Sequence, residues 1–146
     1  MVWRLHEYAS NKNLLEDLTQ QVSEQLMRTI YASGTVSIAL SGGSTPRQLY
    51  QRLSMCELPW GRVNISMVDE RWVDEQHADS NARLVRETLL LNKAAAGKFQ
   101  GMKSTIADAF LAQDAVSDLL LRTVMPLDLV ILGMGEDGHT ASFFPG

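Results

Sequence analysis

The sequence predicts an α/β layered fold with a largely parallel sheet flanked by helices. Three observations carry the prediction. Apolar, β-branched runs recur at 35–40, 64–70 and 127–132. Segments with helical periodicity lie between them, and each run ends in glycines or charges. Strands alternating with helices build parallel sheets, because a parallel neighbour is reached only through a crossover.

Residues 2–8 alternate loosely between apolar and polar and read as a first strand. Leu14, Leu18, Val22, Leu26 and Ile30 then recur every fourth residue, with Leu15 beside them, which predicts one amphipathic helix from Asn13 to Ile30. Gly34 follows, where a helix stops. "TVSIAL" (35–40) reads as a buried strand, and "SGGSTP" leads into a helix holding Leu49, Tyr50 and Leu53. Ser44 or Thr45 can cap that helix, and Pro46 suits its first turn. "NISMVDERW" (64–72) reads as a strand ending in charges. "DSNARLVRETLLL" (79–91) reads as a helix capped by Asp79 or Ser80, with Leu84, Val85, Thr88 and Leu89 inward. Residues 93–104 carry little pattern, and 106–122 are expected to be helical. After Pro126, "LDLVILG" (127–133) holds the clearest buried strand of the chain.

Composition sets the broad class. The 146 residues fit one domain with a real core. Apolar residues make up 45% and charged residues 21%, the balance of an ordinary globular chain. The net charge of -4, without a basic tail, weighs against nucleic acid as a partner, since such binding neutralises phosphates with Lys and Arg. A small anion needs only a local cluster of cations and N–H groups, so it stays open. Cys56 is the only cysteine; an internal disulfide is excluded, a reducing compartment is expected, and Cys56 reads as a small buried hydrophobe. The start, "MVWRLHEYAS", lacks the apolar core of a signal peptide. No run approaches membrane-spanning length, so a cytoplasmic protein is expected.

In open parallel sheets, ligands bind beyond the carboxyl ends of the strands. Three stretches fall there. "SGGSTP" can bring backbone N–H groups and a helix N-terminus to an anion, at Gly42, Gly43 and Ser44. A plain strand–helix turn uses the same residues, and the pattern is not a Walker loop. "VDERW" offers Asp69 or Glu70 for proton transfer, and Arg71 as a planar fork for a phosphate. In isolation this tripeptide also reads as a solvated strand end. The last stretch, "GMGEDGH", matches G-x-G-x-x-G at Gly133, Gly135 and Gly138. A dinucleotide site further requires a following strand and an acidic residue about 20 positions on. The chain ends eight residues after Gly138, so neither is present in it. The more informative feature is Asp137-Gly138-His139: an acid, a joint and an imidazole. Imidazole titrates near neutral pH and suits a general base, with Asp137 orienting it. His6 and His77 read as structural.

Together, "ALSGGSTPRQLY", "VDERWV" with "DSNARLVRETLL", and "PLDLVILGMGEDGHTASFFPG" resemble the three signature blocks of the 6-phosphogluconolactonase family, in order and with similar spacing. That family shares a superfamily with glucosamine-6-phosphate deaminase. The resemblance implies a Rossmann-like α/β fold and hydrolysis of 6-phosphoglucono-1,5-lactone to 6-phosphogluconate in the pentose phosphate pathway. It implies no metal and no nucleotide cofactor, and a sugar phosphate lactone as the small-molecule partner. By motif, His139 takes the place of the general base and Asp137 of its companion acid. Gly42, Gly43 and Ser44 take the place of the sugar-phosphate loop, and Arg71 of the phosphate-contacting arginine. Asp69 matches a carboxylate that abstracts a proton in the deaminase relatives. The resemblance also implies that residues 1–146 are one sugar-phosphate-binding domain, the N-terminal portion of a longer family fold.

Two other readings remain. In the deaminase branch, "DGHIAFNEPG" carries a carboxylate a few residues after the histidine, whereas this chain has Phe143 and Phe144 in "DGHTASFFPG". A non-catalytic sugar-phosphate-binding module is the third.

Overall fold

A computed structural model describes residues 3–146 of the chain. Helix α1 (Asn11–Ser33) starts at Ser10, whose hydroxyl accepts from the Asn13 N–H at 3.2 Å. It ends at Gly34, whose N–H donates to the Ile30 carbonyl at 2.8 Å. Strand β1 (Val36–Leu40) follows, then helix α2 (Thr45–Leu53), strand β2 (Val63–Met67), helix α3 (Asn81–Thr88), the two-residue strand β3 (Lys98–Phe99), helix α4 (Ala109–Thr123) and strand β4 (Leu129–Ile131).

The four strands form one sheet in the order β3-β2-β1-β4, with every pair parallel. β1 lies inside the sheet and is buried throughout, as its β-branched and apolar sequence requires. Ile38 stands opposite Ile65 and Leu129, and Leu40 opposite Met67 and Ile131. These side chains join one core with Leu15, Val22, Leu26 and Ile30 of α1, Leu49, Tyr50 and Leu53 of α2, and Leu84 and Val85 of α3. Each such apolar side chain contributes about 1.5–3 kcal/mol by leaving water.

The predicted α/β architecture is present, with several corrections in detail. Residues 3–8 form no strand, and Val2 lies outside the described residues. Their alternation has nothing to bury: Trp3 and Leu5 are 81% and 74% exposed. On α1, Leu15 is the buried residue of the first turns, while Leu14 and Leu18 are half-buried. The second strand is shorter than 64–70. It ends at Met67, although the Val68 N–H still donates to the Leu40 carbonyl at 2.9 Å. Helix α3 is shorter than 79–91, with Ser80 rather than Asp79 as its cap; the Ser80 hydroxyl accepts from the Arg83 N–H at 3.2 Å. Leu84, Val85, Thr88 and Leu89 are buried as predicted. The weakly patterned 93–104 contains β3. Cys56 is half-buried rather than buried. β4 is the largest departure. Among the described residues it is an edge strand, and Val130 is 43% exposed, so the apolar run at 127–132 is not a buried strand. Asp128 extends its pairing with β1: its carboxylate accepts from the Ser37 N–H at 2.8 Å, and its own N–H donates to the Ser37 carbonyl at 2.9 Å.

No helix of the described residues is long and apolar enough to cross a membrane.

Candidate active site

β1, β2 and β4 are adjacent and parallel, so the turns that follow them leave from the same edge of the sheet. They line one cleft of about 350 Å³, reached by Gly42, Gly43 and Ser44 from the first turn, Asp69 and Arg71 from the second, and Gly133, Gly135 and His139 from the third.

The first turn is held from below. The Tyr50 hydroxyl, fully buried, donates to the Ser41 carbonyl at 2.6 Å, and burial pushes the phenol up to about 12. Ser44 stands at the N-cap position of α2 but its side chain makes no capping hydrogen bond, and Pro46 sits in the first turn. The first amides of a helix have no intrahelical acceptor, so this end of α2 presents N–H groups and the positive end of its dipole to the cleft. Gly42 is there for lack of space: a Cβ on it would overlap the Asn81 carboxamide.

In the second turn the three charged residues take different tasks. Asp69 accepts from the Ser142 hydroxyl at 2.6 Å, which ties the second turn to the third. Glu70, offered by the sequence as a proton-transfer group, turns away to the start of α3. Its two oxygens accept from the backbone N–H groups of Arg71, Asn81 and Ala82 at 2.7–2.8 Å, and from the Ser80 hydroxyl at 3.2 Å. Arg71 is exposed and donates through Nη1 to the Asp79 carbonyl at 3.0 Å and to Asn81 Oδ1 at 3.3 Å. Among the described residues it pairs with no carboxylate, so its charge is available to a ligand. Trp72 is not among the residues that line the cleft; its ring centre lies 4.5 Å from Lys103 Nζ.

The third turn is built around the imidazole. The Gly135 N–H donates to the His139 carbonyl at 2.8 Å, and the Thr140 hydroxyl donates to the Gly133 carbonyl at 2.7 Å. A Cβ on Gly135 would overlap the His139 ring. Of the three glycines of the fingerprint pattern, Gly135 is the one that makes room for the histidine. Asp137 Oδ1 accepts from the His139 N–H at 3.1 Å and lies 2.5 Å from His139 Nδ1. An ionised carboxylate can only accept, so the hydrogen of this pair sits on Nδ1, and in the neutral ring the lone pair is then left on Nε2. Phe144 stacks at 4.9 Å between ring centres. The Asp137 carboxyl is held below its ordinary value, first by the His139 backbone N–H and then by the ring N–H. Asp137 does not line the cleft; it stands behind the histidine.

The sequence offers Glu70 for proton transfer and does not single out Asn81; in the fold Glu70 serves the start of α3. A carboxylate eleven residues before a Ser-Asn helix start is the one sequence signal for that task, since it can serve the helix's free amides. Among the described residues, no group of three or more His, Cys, Asp and Glu side chains is placed to hold a metal ion.

This geometry has relatives. Residues 9–146 match the family described as glucosamine-6-phosphate isomerases/6-phosphogluconolactonase. A 6-phosphogluconolactonase of Rhizobium meliloti is 42% identical over 97% of this chain and 61% of its own length. One from Pseudomonas putida is 41% identical over 97% of this chain and 58% of its own length. The crystal structure of a 6-phosphogluconolactonase from Shewanella baltica superposes with a TM-score of 0.91 at 42% identity, covering 94% of this chain and 59% of that one. A Trypanosoma brucei 6-phosphogluconolactonase does so with a TM-score of 0.81 at 29% identity, over 97% of this chain and 63% of that one. The chain thus spans about three fifths of the length of the relatives it matches. A match over nearly all of this chain, at that identity and with that superposition, establishes that it belongs to the glucosamine-6-phosphate isomerase/6-phosphogluconolactonase family.

Proposed function

We propose that the chain carries the catalytic centre for hydrolysis of 6-phosphoglucono-1,5-lactone to 6-phosphogluconate. The observation that supports this reading most directly is the presence in one cleft of His139, whose Nδ1 faces Asp137, and Arg71, which among the described residues pairs with no carboxylate. An anionic sugar fits between them. Its phosphate meets Arg71 and the N–H groups at Gly42, Gly43 and Ser44. Its lactone carbonyl then lies toward the third turn.

The chemistry needs one base. His139 Nε2 accepts a proton from water as the water oxygen bonds to the lactone carbonyl carbon, and Asp137 steadies the imidazolium that results. The tetrahedral oxyanion collapses, the bond from carbon to ring oxygen breaks, and the imidazolium returns its proton to that ring oxygen. One water is consumed and an acid with a free hydroxyl leaves. A lactone is an activated ester, so no covalent nucleophile is required. Asp69, hydrogen-bonded to Ser142, serves here to join the turns rather than to abstract a proton from carbon. The exposed Phe143 and Phe144 stand where an isomerising site needs a carboxylate, which favours the lactonase reading over the deaminase one.

Lactone hydrolysis, with the spontaneous rate subtracted, tests this. His139→Ala is expected to lower kcat by about 10²–10⁴-fold, the range of a lost general base. Equal rates for the two proteins, or ammonia released from glucosamine 6-phosphate, would overturn it.

A further inference from the structure

We propose that Asn81 is the positioning residue of the site: one buried carboxamide that sets Arg71, Asp69 and the glycine turn in a single register for an anionic ligand. The proposal rests on the lactonase reading for the identity of the ligand, and on geometry alone for the coupling.

Asn81 is the first residue of α3 and is 2% exposed. Its backbone N–H is fixed by Glu70 at 2.7 Å, so the side chain leaves from a firm base. Oδ1 accepts from Arg71 Nη1 at 3.3 Å, and Nδ2 donates to the Asp69 carbonyl at 3.0 Å, with Asp69 Oδ1 at 3.4 Å. The assignment of the two ends follows from chemistry. Exchanging them would set the amino group against a guanidinium and the oxygen against a carbonyl. The carboxamide also fills the space that a Cβ on Gly42 would take. From Asp69 the linkage continues through Ser142 to the turn that carries His139. Only Asn among residues of this volume supplies an acceptor toward Arg71 and a donor toward Asp69. Asp supplies two acceptors, Leu supplies none, and Gln is longer by a methylene.

The test uses Asn81→Asp, which keeps the shape, Asn81→Ala, Gly42→Ala, and the Gly42→Ala/Asn81→Ala pair. The ligand probe is inorganic phosphate, titrated against backbone amide shifts of Gly42 and Gly43. The Arg71 side-chain N–H shift without ligand is the second readout, and the KM and kcat for the lactone the third. In Asn81→Asp the new carboxylate pairs with Arg71 and withdraws it from the ligand. Phosphate affinity is expected to fall on the order of tenfold, the scale of one hydrogen bond to a charged group. KM is expected to rise with a smaller change in kcat, and the Arg71 N–H to shift. Gly42→Ala alone is expected to weaken phosphate binding. It is expected to add nothing in the Asn81→Ala background, where the overlapping carboxamide is gone. A residue that merely stabilises the fold would change the denaturation midpoint and leave these three readouts untouched in the folded protein. Unchanged phosphate affinity and Arg71 N–H in Asn81→Asp would overturn the proposal, as would independent addition of the Gly42 and Asn81 effects. If these couplings appear while the unaltered protein hydrolyses no lactone, the positioning role stands and the substrate reading falls.

Discussion

At the scale of single residues, the Asp137 carboxylate lies 2.5 Å from His139 Nδ1, and the buried Tyr50 hydroxyl donates to the Ser41 carbonyl at 2.6 Å. Asp137 and His139 are two positions apart, so their hydrogen bond was expected from the turn that joins them. Gly135 was visible as a glycine, but not its reason, because the imidazole it accommodates is placed by the folded turn. Glu70 and Asn81 were not legible in the same way. Their partners lie about eleven positions away and meet only when α3 docks beside β2. Tyr50 shows how a distant contact turns into a measurable property. In the unfolded chain its phenol ionises near 10.0; in the fold, burial outweighs the hydrogen bond to Ser41 and holds it up to about 12. The folded-state value is raised, so the contribution is fully present below pH 10 and is lost as pH rises toward 12. Over that window it falls by about 1.4 kcal/mol per pH unit. Tyr50→Phe is expected to remove this alkaline segment. At neutral pH it is expected to cost about 1–3 kcal/mol, through the Ser41 carbonyl left without its donor. Urea midpoints of both proteins at pH 7 and pH 11 check it, and an identical alkaline loss in the variant would contradict the assignment.

At the scale of elements, periodicity announced which segments are helices and strands but not which of their faces are covered. The four-residue recurrence in α1 and the β-branched run of β1 were sufficient, since each packs against several neighbours at once. The run at 127–132 is as apolar as that of β1 but forms an edge strand, and composition cannot distinguish the two positions. Residues 3–8 alternate like a strand yet pair with no strand among the described residues. The start of α3 shows the opposite case, an element whose end is determined from outside. Glu70 brings a carboxylate to the N–H groups of Asn81 and Ala82, where the helix dipole favours negative charge. Glu70→Gln keeps the size, removes the charge and turns an amino group toward donors. It is expected to destabilise the protein by about 1–3 kcal/mol and to loosen Arg71, whose N–H also rests on Glu70. Denaturant unfolding combined with the Arg71 amide shift reads both effects; full stability with an unmoved Arg71 amide would show that the carboxylate is dispensable.

At the scale of the molecule, the core is one-sided. Ile38 and Leu40 of β1 pack into the cluster with α1, α2 and α3, while Ala39 between them faces a second groove of about 340 Å³. That groove is walled by Leu120, Val124, Val130, Leu132 and Phe143 and bears no titratable side chain. α4 stands on this side, and of its fifteen residues only Ala112 is buried; Phe110, Leu111 and Leu121 are 88%, 76% and 62% exposed. An isolated helix of that length is marginal in water, because most helical stability comes from packing. α4 begins well, with the Asp108 carboxylate accepting from the Phe110 and Leu111 N–H groups, but a cap alone contributes only about 1 kcal/mol. The two sides of the sheet are therefore expected to open at different free energies. Amide hydrogen exchange should be slowest in β1 and α1 and markedly faster in α4. Leu26→Ala, in the covered core, should cost about 2–5 kcal/mol, whereas Leu121→Ala should stay within about 0.5 kcal/mol. Protection of α4 equal to that of β1, or a large cost at Leu121, would mean that α4 is packed in solution against something beyond the contacts the described residues provide.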